Sequence, residues 1–118
     1  MKTKMKTTMT DKLETIFEMQ KQLQKRMFGL ENIPVDSIED FKYSILAMIG
    51  EIGEVLDADR RWKNVRAKEV KNEEKLEEIC DVLAFFINMC LFSGYDASDI
   101  YEAFCKKNKK NFDRLNQE

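Results

Sequence analysis

The sequence has no histidine, three cysteines, one proline and four glycines in 118 residues. Without histidine, and with no CxxC spacing among Cys80, Cys90 and Cys105, zinc ligation and histidine-dependent nucleophilic catalysis have little support. The shortage of proline and glycine, with abundant lysine, glutamate and leucine, favours helices along the whole chain. No segment alternates strictly between apolar and polar residues, so the sequence predicts an all-α protein.

Long apolar runs and an excess of one charge are also missing. The longest apolar run, 82–87, is far too short to cross a bilayer, and the polar, charged residues 1–10 are unlike a secretory signal. Basic and acidic residues nearly balance, 20 against 22, which gives no global field for nucleic acid or an anionic membrane. We therefore expect a cytoplasmic protein with reduced cysteines and with neither nucleic acid nor membrane as a partner.

Apolar residues at helical spacing divide the chain into four predicted helices. These helices cover about 11–28, 37–62, 72–93 and 96–115. Asp36 or Ser37 can cap the second helix, and Asp96 or Ser98 can cap the fourth. Because the connections are short, neighbouring helices are expected to be antiparallel in a four-helix bundle. The resulting assignment is a flexible tail at 1–10 and one all-α domain at 11–118.

The third predicted helix is apolar on nearly all sides. Between 79 and 92, only Asp81 and Asn88 interrupt the apolar residues. Such a helix needs cover around its whole circumference, and three other helices of modest length do not suffice. This pattern predicts oligomerisation through the third helix, as a homodimer or a homotetramer.

Two pairs of acidic residues have helical spacing on consecutive helices. Glu51 and Glu54 share one stripe of the second helix, and Glu78 and Asp81 share one stripe of the third. If these helices are antiparallel, the pairs face each other, and half-buried carboxylates repel unless a cation compensates. Oxygen ligands without histidine or thiolate select Mg²⁺, with Mn²⁺ as a substitute, and Mg²⁺ held this way commonly binds substrate phosphates. The alternative for each pair is a solvated helix face.

The two acidic motifs resemble those of a known superfamily. "EIGE" at 51–54, followed about two dozen residues later by "EICD" at 78–81, is similar to the ExxE and ExxD signature of the all-α nucleoside triphosphate pyrophosphohydrolases. This superfamily includes the MazG-like enzymes and the dimeric, all-helical dUTPases. The resemblance implies a MazG-like fold, hydrolysis of a nucleoside triphosphate to a monophosphate and pyrophosphate, and dUTP among the first candidate substrates. It also implies catalytic and Mg²⁺-binding roles for Glu51, Glu54, Glu78 and Asp81.

Two further segments resemble the dimeric dUTPase branch. "RRWKN" at 60–64 is similar to the branch's Trp- and Lys-containing segment, and "KNKKNFDRL" at 107–115 is similar to its phosphate-binding pattern, although the branch often has Arg-Gln where this chain has Arg-Leu. The substrate-binding residues that we predict are Trp62, Lys63, Asn88, Lys107, Asn111 and Arg114.

Each of these side chains has a second interpretation from the residues alone. Lys107 and Arg114 lie on a cationic stripe that suits a triphosphate or is simply solvated. Asn88 can bind a base edge or a sugar hydroxyl, or can be a core amide that fixes helix register. Trp62 can stack on a base or pack at an interface. For the chain as a whole, the alternative function is a non-catalytic helical dimerisation or interaction module.

Overall fold

The computed structural model describes residues 11–62 and 72–117. Every regular element in these ranges is a helix, which confirms the all-α class predicted from the sequence. In chain order the helices are α1 (Lys12–Phe28), α2 (Ile38–Asp59), α3 (Asn72–Phe92) and α4 (Ala97–Asn116). None of the described helices carries an apolar stretch long enough to span a bilayer. The predicted tail at 1–10 lies outside the described residues.

Side-chain caps begin α2 and α4 at residues that were among the predicted alternatives. The hydroxyl of Ser37 accepts a hydrogen bond from the Asp40 N–H at 3.3 Å. At α4, Asp96 Oδ1 accepts from the Asp99 N–H at 2.9 Å, and Asp99 Oδ2 accepts from the Asp96 N–H at 3.0 Å. This reciprocal pair satisfies backbone donors that a helix start leaves without intrahelical partners.

The end of α2 comes earlier than the sequence predicts. The expected helix runs to about Trp62, whereas α2 ends at Asp59 because Arg60 adopts a left-handed backbone with φ of 68°. The Arg60 N–H still donates to the Leu56 carbonyl at 2.9 Å, which closes the last turn. Non-glycine residues rarely adopt this conformation, so apolar periodicity could not locate the break.

Residues 33–93 form one compact unit, and α1 and α4 belong to a second. In the first unit α2 and α3 pack antiparallel, and we call this pair the α2–α3 hairpin. Near the start of α2, Tyr43 meets Phe85 edge to face with ring centroids 6.3 Å apart. At its end, Asp59 pairs with Lys75 near the start of α3 at 2.7 Å. The hairpin therefore has a fixed register along its length.

The third helix, α3, is only partly covered within the described part of the chain. Ile87 and Asn88 are 2% and 3% exposed, as expected for a helix that is apolar on nearly all sides. Leu76, Ile79 and Leu83 lie three and four residues apart on α3 and remain exposed. One apolar side of α3 therefore faces away from the rest of the described chain.

Candidate functional site

Three carboxylates converge between the two helices of the hairpin. Glu51 from α2 and Glu78 and Asp81 from α3 each offer one carboxylate oxygen, and these three oxygens lie within 4.8 Å of one another. Glu51 and Glu78 are half-buried, whereas Asp81 is exposed. The structure thus brings together three of the four acidic residues that the sequence predicts to meet. We call Glu51, Glu78 and Asp81 the carboxylate trio.

The position of Glu51 follows from the sequence spacing of α2. Ser44 and Ala58 are both buried, and Glu51 lies seven residues from each of them. Residues seven apart lie on nearly the same face of a helix, so Glu51 belongs to the buried face of α2. Its carboxylate therefore points toward the packed side of the helix and not into bulk solvent.

On α3 the same spacing orients the other two acids. Glu78 lies seven residues before Phe85, which meets Tyr43 of α2, and Asp81 lies seven residues before the buried Asn88. Glu78 is therefore on the side of α3 that turns toward α2, and Asp81 lies on this side too, because its carboxylate oxygen is within 4.8 Å of one from Glu51. The interruption of the apolar run at Asp81 is part of this shared face.

Four neighbouring carboxylates repel the carboxylate of Glu78. Its pKa is raised above the usual value, first by burial and then by repulsion from the carboxylates of Asp81, Glu54, Glu51 and Glu74. Both effects disfavour the ionised form. A proton or a cation bound at the trio would relieve them, so the site is built to favour positive charge.

Glu54 is the predicted acidic residue that does not join the trio. It is exposed, and it lines a pocket of about 200 Å³ beside the trio. The residues that line this pocket are Glu54, Asp57, Ala58, Arg60, Glu74 and Glu78. Glu78 belongs both to the trio and to the pocket lining, which makes the two parts of the site continuous.

Four lining residues, Asp57, Ala58, Arg60 and Glu74, were not among the predicted site residues. Asp57 lies three residues after Glu54 on α2, at a spacing that the sequence did offer as a signal. Arg60 reaches the pocket from the left-handed residue that ends α2. Its place depends on where the helix stops, which the apolar pattern does not specify.

An ion-pair cluster joins the end of α2 to the start of α3. Asp59 accepts two hydrogen bonds from the Arg61 guanidinium, at 2.6 and 2.8 Å, and one from the Lys75 ammonium at 2.7 Å. These bonds, with Arg61 as the largest cause, hold the pKa of Asp59 well below its usual range. The bond from Lys75 joins the two helices and fixes the hairpin beside the pocket, whereas the Arg61 bonds are local to the end of α2; sequence reasoning predicted neither.

The predicted substrate-binding residues lie in different places. Trp62 is 54% exposed, and its indole N–H donates to the Leu56 carbonyl at 2.9 Å. Asn88 is buried in α3. On α4, in the other compact unit, Lys107, Asn111 and Arg114 are all exposed, and Arg114 donates to the Asn111 side-chain oxygen at 3.1 Å. Lys63 lies outside the described residues.

The trio matches the preferences of Mg²⁺ and Mn²⁺. Mg²⁺ binds oxygen ligands at about 2.1 Å in octahedral geometry, so two of its ligands are at most about 4.2 Å apart. The trio supplies only oxygen, and the 4.8 Å limit on its oxygen separations is close to this span. Small side-chain rotations would therefore bring the three oxygens into one coordination shell.

The hairpin lies within a segment that matches a known protein family. A family model described as dUTPase matches residues 12–92, which include the whole hairpin. The dCTP pyrophosphatase of Enterobacteria phage T4 is 32% identical over 94 residues, covering 67% of this chain and 54% of that protein. The chain thus spans about half the length of this curated relative. No solved structure matches the chain significantly. With the family match extending over more than half of its residues, the chain belongs to the all-helical, MazG-like dUTPase family.

Proposed function

We propose that this protein is a Mg²⁺-dependent nucleotide pyrophosphohydrolase that converts a nucleoside triphosphate, or its deoxy form, into the monophosphate and pyrophosphate. The observation that carries the proposal is the carboxylate trio, which two antiparallel helices present within the family-matched segment. Three acids that repel one another at a half-buried position gain from a divalent cation, and Mg²⁺ brings phosphates with it.

The described residues support a division of roles at the site. Glu51, Glu78 and Asp81 would hold the metal, which when bound neutralises phosphate charge and stabilises the leaving pyrophosphate. Glu54 lies outside the trio and lines the adjoining pocket, and a carboxylate on the side of the trio away from this pocket would orient the attacking water and accept its proton, because the attacking and leaving oxygens are in line. The water oxygen then bonds to the α-phosphorus as the bond to the bridging oxygen breaks. No covalent intermediate is required.

The candidate substrates follow from the comparisons. The family description names dUTP hydrolysis, and the phage relative is described as acting on dCTP. Both are deoxypyrimidine triphosphates, so these two nucleotides come first. Trp62, Lys63, Lys107, Asn111 and Arg114 are proposed contacts to base and phosphates. For Asn88, a role in base recognition predicts a raised KM in Asn88→Ala with little loss of stability, whereas a core amide predicts a lowered Tm.

A hydrolysis assay with defined products tests the proposal. The protein is incubated with dUTP, dCTP and the other triphosphates, with Mg²⁺ or with a chelator, and phosphorus NMR identifies the products. We expect monophosphate and pyrophosphate only with the divalent ion. Release of orthophosphate, or no hydrolysis of any triphosphate, would contradict the proposal and favour the non-catalytic interaction module.

Matched variants on α3 test the role of the trio. Glu78→Gln and Asp81→Asn are expected to abolish turnover while the helical circular dichroism stays unchanged. Glu73→Gln is the control, because Glu73 is an exposed acid in the first turn of α3 and is not part of the trio or the pocket lining. Full activity in Asp81→Asn would refute the assignment.

We also propose a homo-oligomer, either a dimer or a tetramer. Leu46 and Ile49 of α2 are 66% and 60% exposed, and α3 exposes Leu76 and Ile79. Burying such side chains against a second copy would remove several hundred Å² of apolar surface from water, which favours association. Sedimentation equilibrium checks this directly, and a strictly monomeric protein at assay concentration would contradict it.

A further inference from the structure

Among the described residues, one cation lines the acidic pocket of the hairpin. Arg60 shares the lining with four carboxylates, those of Glu54, Asp57, Glu74 and Glu78. It occupies the left-handed residue that ends α2, where its backbone N–H closes the last turn on Leu56. A long side chain is energetically unfavourable at this residue, because the left-handed backbone conformation favours glycine or asparagine.

Two nearby cations of the described residues pair with a different carboxylate, that of Asp59. Arg61 and Lys75 both bind Asp59, at 2.6 and 2.7 Å. For Arg60, by contrast, no ion pair is found within residues 11–62 and 72–117. The Arg60 guanidinium thus has no ion-pair partner among these residues, although Arg60 shares the pocket lining with four carboxylates.

We infer that Arg60 binds the pyrophosphate half of the substrate, an inference that rests on the proposed function. The two phosphates of this half would be repelled by four carboxylates unless a divalent ion and a fixed cation compensate. A guanidinium presents paired N–H donors that fit two phosphate oxygens at once. Arg60 is the residue of the described pocket lining that can supply them.

The order of residues along α2 supports this orientation of the substrate. Glu51 of the trio, then Glu54, then Arg60 follow one another toward the end of the helix. With the reacting phosphorus at the trio, the part of the substrate that extends toward Arg60 meets a lining that is charged at every residue except Ala58. Such a lining offers almost no apolar surface to a base, so we place the β- and γ-phosphates on this side, where the divalent ion and Arg60 would offset the repulsion from the carboxylates.

Two substitutions at Arg60 separate its charge from its backbone role. Arg60→Gly removes the guanidinium and relaxes the left-handed residue, so folding is preserved or improved. Arg60→Lys keeps one positive charge and removes the paired donors. Arg61→Ala is the matched control, because Arg61 is the adjacent cation, is exposed and is paired with Asp59.

Calorimetry with Mg²⁺ measures binding apart from turnover. The ligands are a non-hydrolysable α,β-imido deoxynucleoside triphosphate, inorganic pyrophosphate and the nucleoside monophosphate. In Arg60→Gly we expect the first two to bind about tenfold or more weakly, as for loss of a charge-assisted fork, while the monophosphate binds as in the wild type. The affinity of Arg60→Lys for the first two ligands should lie between those of Arg60→Gly and the wild type. Arg61→Ala should bind all three ligands as the wild type does.

Other outcomes overturn the inference in distinguishable ways. Equal affinity for the triphosphate analogue in Arg60→Gly and the wild type, with wild-type hydrolysis intact, would refute the role of Arg60 alone. Loss of monophosphate affinity instead would place the wrong end of the substrate at Arg60, and equal losses in Arg61→Ala would indicate a general charge effect. If the wild type hydrolyses no triphosphate, the proposed function fails and the inference falls with it.

Discussion

The Lys75 ammonium lies 2.7 Å from Asp59 Oδ2 and joins the first turns of α3 to the last residue of α2. Both side chains are largely removed from solvent, with 29% and 18% exposed, so this pair is better shielded than a surface ion pair. Because the pocket-lining residues Ala58 and Arg60 flank Asp59 in sequence, the pair fixes the hairpin where it borders the pocket.

We predict that breaking this pair loosens the hairpin. Asp59→Asn and Lys75→Met should each lower Tm by a few degrees, and the double variant should lower it by less than the sum, because the two side chains interact. Thermal denaturation of the four proteins gives the coupling. The control pair is Lys109 and Asp113 on α4, at 3.0 Å and well exposed, whose disruption should have almost no effect. Strict additivity at Asp59 and Lys75 would contradict the prediction.

Asp59 also predicts the behaviour of the protein in acid. Its pKa is lowered in the folded state, so it stabilises the fold fully above its usual value of about 3.9, and this stabilisation is lost as the pH falls toward the folded-state pKa. We expect the midpoint urea concentration of the wild type to decrease once the pH is lowered below about 4. The midpoint of Asp59→Asn should decrease less. Parallel curves for the two proteins would show that the pair does not form in solution.

The raised pKa of Glu78 predicts that it makes the metal-free protein less stable as the pH rises, which is opposite to the effect of Asp59. Its pKa is raised in the folded state by burial and by neighbouring carboxylates, so ionising it destabilises the fold as the pH rises from about 4.3 through the folded-state value. With a chelator present, Glu78→Gln should therefore have a higher Tm than the wild type at pH 7 and a similar Tm at pH 4. A lower Tm for the variant at pH 7 would be inconsistent with repulsion at this residue.

Mg²⁺ should reverse that destabilisation in the wild type. A ligand at one hundred times its Kd stabilises the folded state by about 2.7 kcal/mol, which for a domain of this size corresponds to a Tm increase of roughly 10 °C. Glu51→Gln and Asp81→Asn should lose most of this increase, and Glu73→Gln should retain it. An equal response to Mg²⁺ in all three variants would show that the ion binds elsewhere.

The glycines of α2 predict how stability and assembly respond to a methyl group. A Cβ added at Gly50 or Gly53 would meet no atom of the described chain within 4 Å. Gly53→Ala should therefore stabilise the isolated chain by about 1 kcal/mol through helix propensity alone. If a second copy packs closely on this face, the same change should weaken association, as measured by sedimentation. A stabilised protein with unchanged assembly would place the interface away from Gly53.

The faces of α2 and α3 that carry the acids, and the starts of α2 and α4, were predictable from the sequence, whereas the end of α2 was not. Acids three residues apart share a helix stripe, and antiparallel packing predicts that the stripes face each other, which accounts for Glu51, Glu78 and Asp81 but not for Glu54, which lines the adjoining pocket. The left-handed backbone at Arg60 shortens α2 and brings Arg60 to the pocket lining, and nothing in the apolar pattern marks it. The pairing of Asp59 with Lys75 could not be predicted either, because a chain with 20 basic and 22 acidic residues offers many possible ion pairs.

Because the trio is divided between two helices, a bound divalent ion would also stabilise the hairpin. One ligand comes from α2 and two from α3, so the ion would act as a removable cross-link across the hairpin. Heat tolerance would then depend on the surrounding magnesium concentration as well as on the amino acids. In citrate or phosphate buffers, which compete for that ion, catalytic rate and thermal resistance should decline together.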